Sequence, residues 1–451
     1  MTSPDAPRRG AGQVLAALAL LSLFGLFLLA AAPVRAQALL RDPDIEHALR
    51  QIAAPVFQAA GVNQSSIRIL VVSDDSLNAF VADGQHILIH SGLLLRFDTA
   101  AQLQGVIAHE LAHITQGHLA RRPLNMQAGG RLTGLGIALA IAAAIAGAPD
   151  AGVGIVAGTT NTAMRSFFVH TRAEESGADQ TAARYMTSAG IDPRAMMEVL
   201  EIFRGQEALS AGRIDPYALT HPLSAERIRG LEGHATAYDA SRARARAEDD
   251  YWFQRMKIKL SAFLRTPPYT LRQAERIDNP ELAALARAIA HHRTPKPAEA
   301  RAEMERLMAM RPDDPYYYEL KGQILLESRD VKGAAAAYGR AVQLAPREYV
   351  ILADLGRAQL ASGDVQAAYD TLSRARLHDA ANPRLLRDLA MAEARLGMQG
   401  QASVTTAERF LLMGQPSDAR LHAERALGAL PQGSTGWLRA QDVLSATKDA
   451  R

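Results

Sequence analysis

The sequence predicts a mainly α-helical fold of the α+β class: a helical domain built around a small β-sheet, followed by an α-helical repeat array. Three observations predict it. Apolar Leu103, Val106, Ile107, Leu111 and Ile114 recur at helical spacing around a His-Glu-Leu-Ala-His run. Residues 66–89 are rich in β-branched side chains and are broken by a turn at Gly84. From residue 312 onward, like residues recur 34 positions apart.

The chain opens with Arg8 and Arg9 ahead of an apolar run at 14–32, and Val34-Arg35-Ala36 offers a small-x-small cleavage site. That pattern predicts a signal peptide over 1–36, cleaved near Ala36, and export of the rest. The run is also long enough to cross a bilayer, so an uncleaved anchor is the alternative. The 451 residues contain no cysteine, which excludes disulfides and thiolate metal ligands. The formal charge is +3, and residues 1–36 carry three Arg against one Asp, so the remainder is near neutral. No basic block interleaved with aromatics stands out, which argues against nucleic acid as a partner. The length calls for two or more domains.

Ile67-Arg-Ile-Leu-Val-Val72 and His86-Ile-Leu-Ile-His90 read as short strands. Thr99-Ala-Ala-Gln102 then reads as a capping box opening a helix. On that helix His109 and His113 are four apart and share a face, so both can grip one metal ion, with Glu110 beside them to reach a water. This is the pattern of a zinc hydrolase. A tetrahedral catalytic zinc takes three protein ligands and leaves a fourth position for water. The candidate third ligand is Glu175, in the run from Arg172 to Asp179. Glu175 and Asp179 again share a helix face, so Asp179 is placed to accept a hydrogen bond from a ligand imidazole. Glu174 is the rival, turned away from the Asp179 face. His86 and His90 are expected to be surface or turn residues rather than ligands, and His118, one turn beyond His113, is likewise not expected to be a ligand because catalytic zinc takes three protein groups.

A second apolar run begins at 132. One crossing there would put His109 and His113 on the opposite side of a membrane from Glu175, and the stretch after it is too short to return. Residues 132–158 are therefore expected to form a buried hairpin or an apolar lid, and any membrane association to be peripheral.

Gly322 and Gly356, Asp330 and Asp364, Ala341 and Ala375, and Pro312 and Pro346 are each 34 apart, the tetratricopeptide period. Such helix pairs bury their apolar faces only against neighbours and stack into a concave solenoid. Prolines at 267, 268, 295 and 297 mark a connector. The expected domains are a signal peptide (1–36), a metallopeptidase domain (37–265), a helical connector (266–300) and the repeats (301–451).

His109-Glu-Leu-Ala-His113, followed by Glu175-x-x-Ala-Asp179, resembles the zincin-type zinc metallopeptidases of the CAAX prenyl protease and HtpX type. Ser76-Leu-Asn-Ala-Phe80 and Thr220-His221-Pro222, with Arg227-Ile228, resemble further segments of that family. The match is nearest to its periplasmic, BepA-like branch, which carries tetratricopeptide repeats after the peptidase. The resemblance implies one Zn²⁺ per chain, Glu110 as catalytic base, and an edge strand that pairs with substrate. Ile87, Leu88, Ile89 and His90 are assigned to that strand. It also implies that His221 sits at the metal as a fourth ligand or regulatory group; a helix-capping or core role is the alternative. The implied function is a periplasmic endopeptidase that degrades misfolded or misassembled outer-membrane proteins. Its repeats would recruit substrate or the outer-membrane assembly complex. The competing class is a chaperone or scaffold that works through the repeats with little proteolysis. Ser176-Gly177 depart from the larger or acidic residues frequent in the family, which leaves the local geometry there to be determined.

Overall fold

The computed structural model describes residues 38–118, 172–204, 215–221, 225–238 and 246–448. The expected signal peptide and the apolar segment at 132–158 lie outside them. Among the described residues no helix is long and apolar enough to cross a membrane.

The sheet has four strands: β1 (Ala38–Leu40), β2 (Arg68–Ser73), β3 (Ala79–Asp83) and β4 (His86–His90), in the spatial order β1-β2-β4-β3. β1 runs antiparallel to β2, β2 parallel to β4, and β4 antiparallel to β3. Strand alternation sends Ile69, Val71, Ile87 and Ile89 into the main helical core. Leu70, Val72 and Leu88 point to a small cluster on the other face. The assignment of Ile87, Leu88, Ile89 and His90 to an edge strand is corrected here. β4 is internal, its backbone groups are taken by β2 and β3, and no ladder position is left for a substrate. Among the described residues the outer strands of the sheet are β1 and β3.

Against the sheet pack α1 (Pro43–Ala60), α2 (Ser91–Arg96) and α3 (Ala100–Thr115), the helix that carries the two histidines. Thr99 caps α3 by accepting from the Gln102 amide, as the capping box requires. The reciprocal bond shifts by one residue, because the Gln102 side chain accepts from the Asp98 amide instead. Next come α4 (Arg172–Ala189), α5 (Arg194–Ile202), α6 (Pro216–Thr220), α7 (Ala225–Ala237) and α8 (Ala247–Leu264). α4 lies across α3 and brings the Glu175 side of the site to the histidines.

Helices then follow in antiparallel succession from α9 (Pro267–Ala274) to Lys448, and the boundary expected at 300 falls inside the helix Pro297–Met310. The 34-residue recurrence has a steric origin. A Cβ at Gly322 would come within 2.8 Å of the Tyr338 ring, and one at Gly356 within 2.5 Å of Leu372. The large partners are themselves one repeat apart, so each pair uses the same close contact between its two helices.

The repeats are joined to the first domain by charges that have left solvent. Arg255 on α8 is fully buried and lies between Asp44 of α1 (2.9 Å) and Asp314, the N-cap of the helix Pro315–Glu327 (2.6 Å). Lys259, one turn on, reaches Asp42 at 2.9 Å and Glu319 at 3.6 Å. Further along the array, Asp379 holds Arg41 at 2.8 Å and Arg68 at 3.2 Å. A cavity of about 680 Å³, lined by Leu40, Phe263, Tyr338, Arg357, Arg384 and Met413 among others, lies between these two walls. Removing one member of a buried ion pair leaves an uncompensated charge, at a cost of about 3–5 kcal/mol. Asp314→Ala is therefore expected to lower the unfolding free energy of the chain by an amount in that range, read as the fall in its urea midpoint multiplied by the m-value. An unchanged midpoint would show that Arg255 is adequately held by Asp44 alone.

Candidate metal centre

Helical periodicity on α3 turns His109, Glu110 and His113 into the core, all three fully or nearly fully buried. On α4 the same periodicity buries Glu175 and Asp179, while Glu174 stays half-buried at the helix flank. The two helices approach closely at Gly177. A Cβ there would stand 3.0 Å from the Gln116 carboxamide oxygen, and the Gln116 amide donates to the Gly177 carbonyl at 2.9 Å and to Thr181 Oγ1 at 2.7 Å. The small residue at 177 thus serves the α3–α4 contact.

His221 arrives from a third direction. It closes α6 with its backbone N–H donating to the Tyr217 carbonyl, and its ring lies 4.5 Å from the Tyr217 ring. The side chain points into the cluster. His109, His113, Glu175 and His221 offer ligand atoms that all lie within 4.8 Å of one another. His109 Nε2 is 3.0 Å from His113 Nε2 and 3.3 Å from His221 Nδ1. Glu175 Oε1 is 3.0 Å from His221 Nδ1 and 3.3 Å from His113 Nε2. A tetrahedron with the usual zinc–ligand arms of about 2.0–2.1 Å has edges of about 3.3–3.4 Å. The cluster's separations suit a small divalent ion at its centre.

The outer contacts suit it too. His109 Nδ1 donates to Asp179 Oδ1 at 3.0 Å, which turns Nε2 toward the cluster as the atom that a metal would take in place of a proton. His113 Nδ1 meets His118 Nδ1 at 2.8 Å, which likewise leaves His113 Nε2 facing inward. His118 lies outside the ligand group and contacts the His113 ring from behind, a supporting contact that sequence reasoning did not anticipate. Burial alone would lower the His109 pKa, yet the Glu175 and Asp179 carboxylates push it up to about 10. Burial alone would raise the Glu175 carboxyl, yet His221 and His109 hold it well below the usual range. His113 is forced the other way: burial and the neighbouring His109 keep it neutral, the state a ligand needs. The pocket demands positive charge, and its imidazoles cannot all supply it. Glu110 stands at the rim, its Oε1 3.5 Å from His221 Nε2.

His86 pairs with Asp83 at the hairpin turn, and His90 bonds Ser76 Oγ at 2.9 Å, so neither joins the cluster. Arg227 of α7 was visible in sequence only as part of a resembling segment; here it is buried against Asp179 and Glu175.

A buried His-His-Glu cluster with an adjacent glutamate, set on a zincin-like helix and followed by helical repeats, defines a metallopeptidase. Residues 40–235 match peptidase family M48, and residues 325–394 match the tetratricopeptide repeat. The chain is 27% identical over 390 residues to the beta-barrel assembly-enhancing protease of Escherichia coli K12, covering 84% of this chain and 78% of the relative. It is 26% identical over 393 residues to the protease of that name in Yersinia pestis, covering 86% and 80%. A putative beta-barrel assembly-enhancing protease of Vibrio cholerae is 29% identical over 248 residues, half of each chain.

The cluster predicts which residues metal retention depends on. His109→Ala, His113→Ala and Glu175→Ala should each strip most of the metal, whereas Glu174→Ala should keep it. Metal analysis of the purified variants checks this, and full occupancy in Glu175→Ala would remove Glu175 from the ligand set.

Proposed function

We propose that the protein is a zinc-dependent endopeptidase of the cell envelope, with one Zn²⁺ per chain held by His109, His113 and Glu175 and with Glu110 as its catalytic base. The observation that carries this is the convergence of three buried donors beside a fourth, Glu110, that is not part of the ligand set. A structural site has no use for a base there, which weighs against a scaffold with a vestigial centre. Zinc bound at the cluster would supply a Lewis acid for the scissile carbonyl and a water acidified to near neutral pH. Glu110 takes the proton of the attacking water and returns it to the leaving amine. Asp179 keeps His109 in the right tautomer throughout. The strand offered to an extended substrate is β3 (Ala79–Asp83), which is an outer strand of the sheet among the described residues and packs beside α3.

The address and the substrates rest on the leader-like N-terminus and on the relatives' names. The signal peptide is taken to end near Ala36 and the mature chain to act in the periplasm. Misfolded or misassembled outer-membrane proteins are the substrates, and the repeats recruit them or the outer-membrane assembly machinery. Domain limits of 37–265 for the peptidase and 301–451 for the repeats serve that division of labour, and the contacts across it make the two work as one body.

Glu110→Gln should keep its zinc and its fold while losing proteolysis about a hundredfold or more, the usual cost of a missing general base. Cleavage of an unfolded outer-membrane protein measures it, and an undiminished rate would overturn the assignment.

His221 fits a self-inhibitory role at the same centre. Its Nδ1 lies 3.0 Å from Glu175 Oε1 and 3.3 Å from His109 Nε2, close enough to serve as a fourth ligand in place of a water. His221→Ala should raise basal proteolysis at unchanged zinc content. A slower enzyme with normal zinc would instead make His221 a transition-state group.

A further inference from the structure

Arg227 has no place in the proton transfers assigned to Glu110, yet its guanidinium reaches several parts of the centre at once. Its Nε donates to Asp179 Oδ2 at 2.6 Å and its Nη2 to Asp179 Oδ1 at 3.0 Å. Its Nη1 lies 2.7 Å from Glu175 Oε2 and donates to the His221 carbonyl at 3.2 Å. The side chain is 1% exposed, so these contacts do not compete with solvent. Glu175 is held on one side by this cation, and its Oε1 lies against His113 and His221. Asp179 is held bidentately, and its Oδ1 also takes the His109 Nδ1 proton.

We propose that Arg227 is the positioning residue of the metal centre. It holds Glu175 by Oε2 so that Oε1 is the oxygen offered to the ion, and it fixes Asp179 so that Asp179 can fix His109. The inference rests on the zinc reading above. It makes a claim about sign that simple electrostatics does not. Glu110, Glu175 and Asp179 bring three negative charges, which Arg227 and a divalent ion together neutralise. If Arg227 were only a countercharge, it would repel the ion, and removing it would tighten metal binding. If it positions the ligands, removing it weakens binding although a repelling cation has gone. Lysine cannot substitute, because an ammonium is a point donor and lacks the planar fork that grips Asp179 bidentately while Nη1 faces Glu175.

The test uses the full chain stripped of metal, with zinc affinity measured by competition against a chromophoric chelator. Arg227→Lys and Arg227→Met should each bind zinc about 10–100-fold more weakly, the usual effect of losing an outer contact of a ligand. Asp179→Asn, nearly isosteric, should weaken it similarly, and combining it with Arg227→Lys should add little further. The visible spectrum of the Co²⁺-loaded protein should change in the Arg227 variants, reporting altered coordination that a mere loss of stability would not produce. Melting of the metal-free forms separates folding from binding, and Asp179→Asn carries the test if Arg227→Lys does not fold. Tighter zinc binding by Arg227→Met would overturn the proposal, as would wild-type affinity in both Arg227→Lys and Asp179→Asn. His109→Ala is the reference: if it too binds zinc normally, the metal centre itself is wrong, and the inference falls with it for a distinguishable reason.

Discussion

Glu110, Glu175 and Asp179 are carried into a helical core where an ionised carboxylate is tolerated only if it is paired. That constraint orders the rest of the first domain. Glu175 and Asp179 can be ionised because His109, His221 and Arg227 surround them. For those groups to meet, α3 and α4 must cross closely, which the small residue at Gly177 permits, and α6 and α7 must close over the crossing. The charges are therefore both the chemistry of the site and the reason for its packing. A core of apolar residues alone would be satisfied by many helix arrangements, whereas Glu175 and Asp179 are satisfied only where their cationic partners converge on them.

Much of this was legible in the sequence because helical periodicity converts spacing directly into proximity. His109 with His113, and Glu175 with Asp179, are four-residue pairs, and each pair lies on one buried face as read. The repeats were legible for the same reason, since one Gly-to-aromatic or Gly-to-leucine contact recurs every 34 residues. What was not legible depended on strand order. Ile87 to His90 reads as a good strand, but nothing local tells whether β4 lies at an edge or between two neighbours. The chain reaches β4 from β3 by a tight hairpin, and β2 pairs with it from the other side, across a crossover of which only the β3 hairpin is local. Contacts made by long side chains across the fold were equally invisible. Arg227 lies 48 residues from Asp179, and no periodicity links them.

His118 and His221 show the two ways in which an extra histidine can serve a site. His118 meets His113 at the ring nitrogen that faces away from the cluster, and so acts on a ligand without being one. His221 presents Nδ1 to the ligand atoms and Nε2 toward Glu110, a geometry in which one ring touches both the ligand set and the proposed base. Spacing could not separate these cases, because His118 is the nearer in sequence and His221 the nearer to the centre.

The helix Ala247–Leu264 explains why the repeats cannot be treated as an appendage. Near its start, Asp249 accepts from Gln104 on α3 at 2.9 Å, and Gln104 also donates to the Ile52 carbonyl of α1. One to three turns further on, Arg255 and Lys259 take up Asp44, Asp42, Asp314 and Glu319. The same element thus touches the histidine-bearing helix five residues before His109 and the helix Pro315–Glu327 at its N-cap and at Glu319. Buried charges of this kind have little tolerance for sliding, since each depends on a partner in a different layer. The orientation of the array toward the peptidase is for that reason set by the same physics that sets the metal centre: carboxylates and cations withdrawn from water, each satisfied at one relative placement of the helices that bear them.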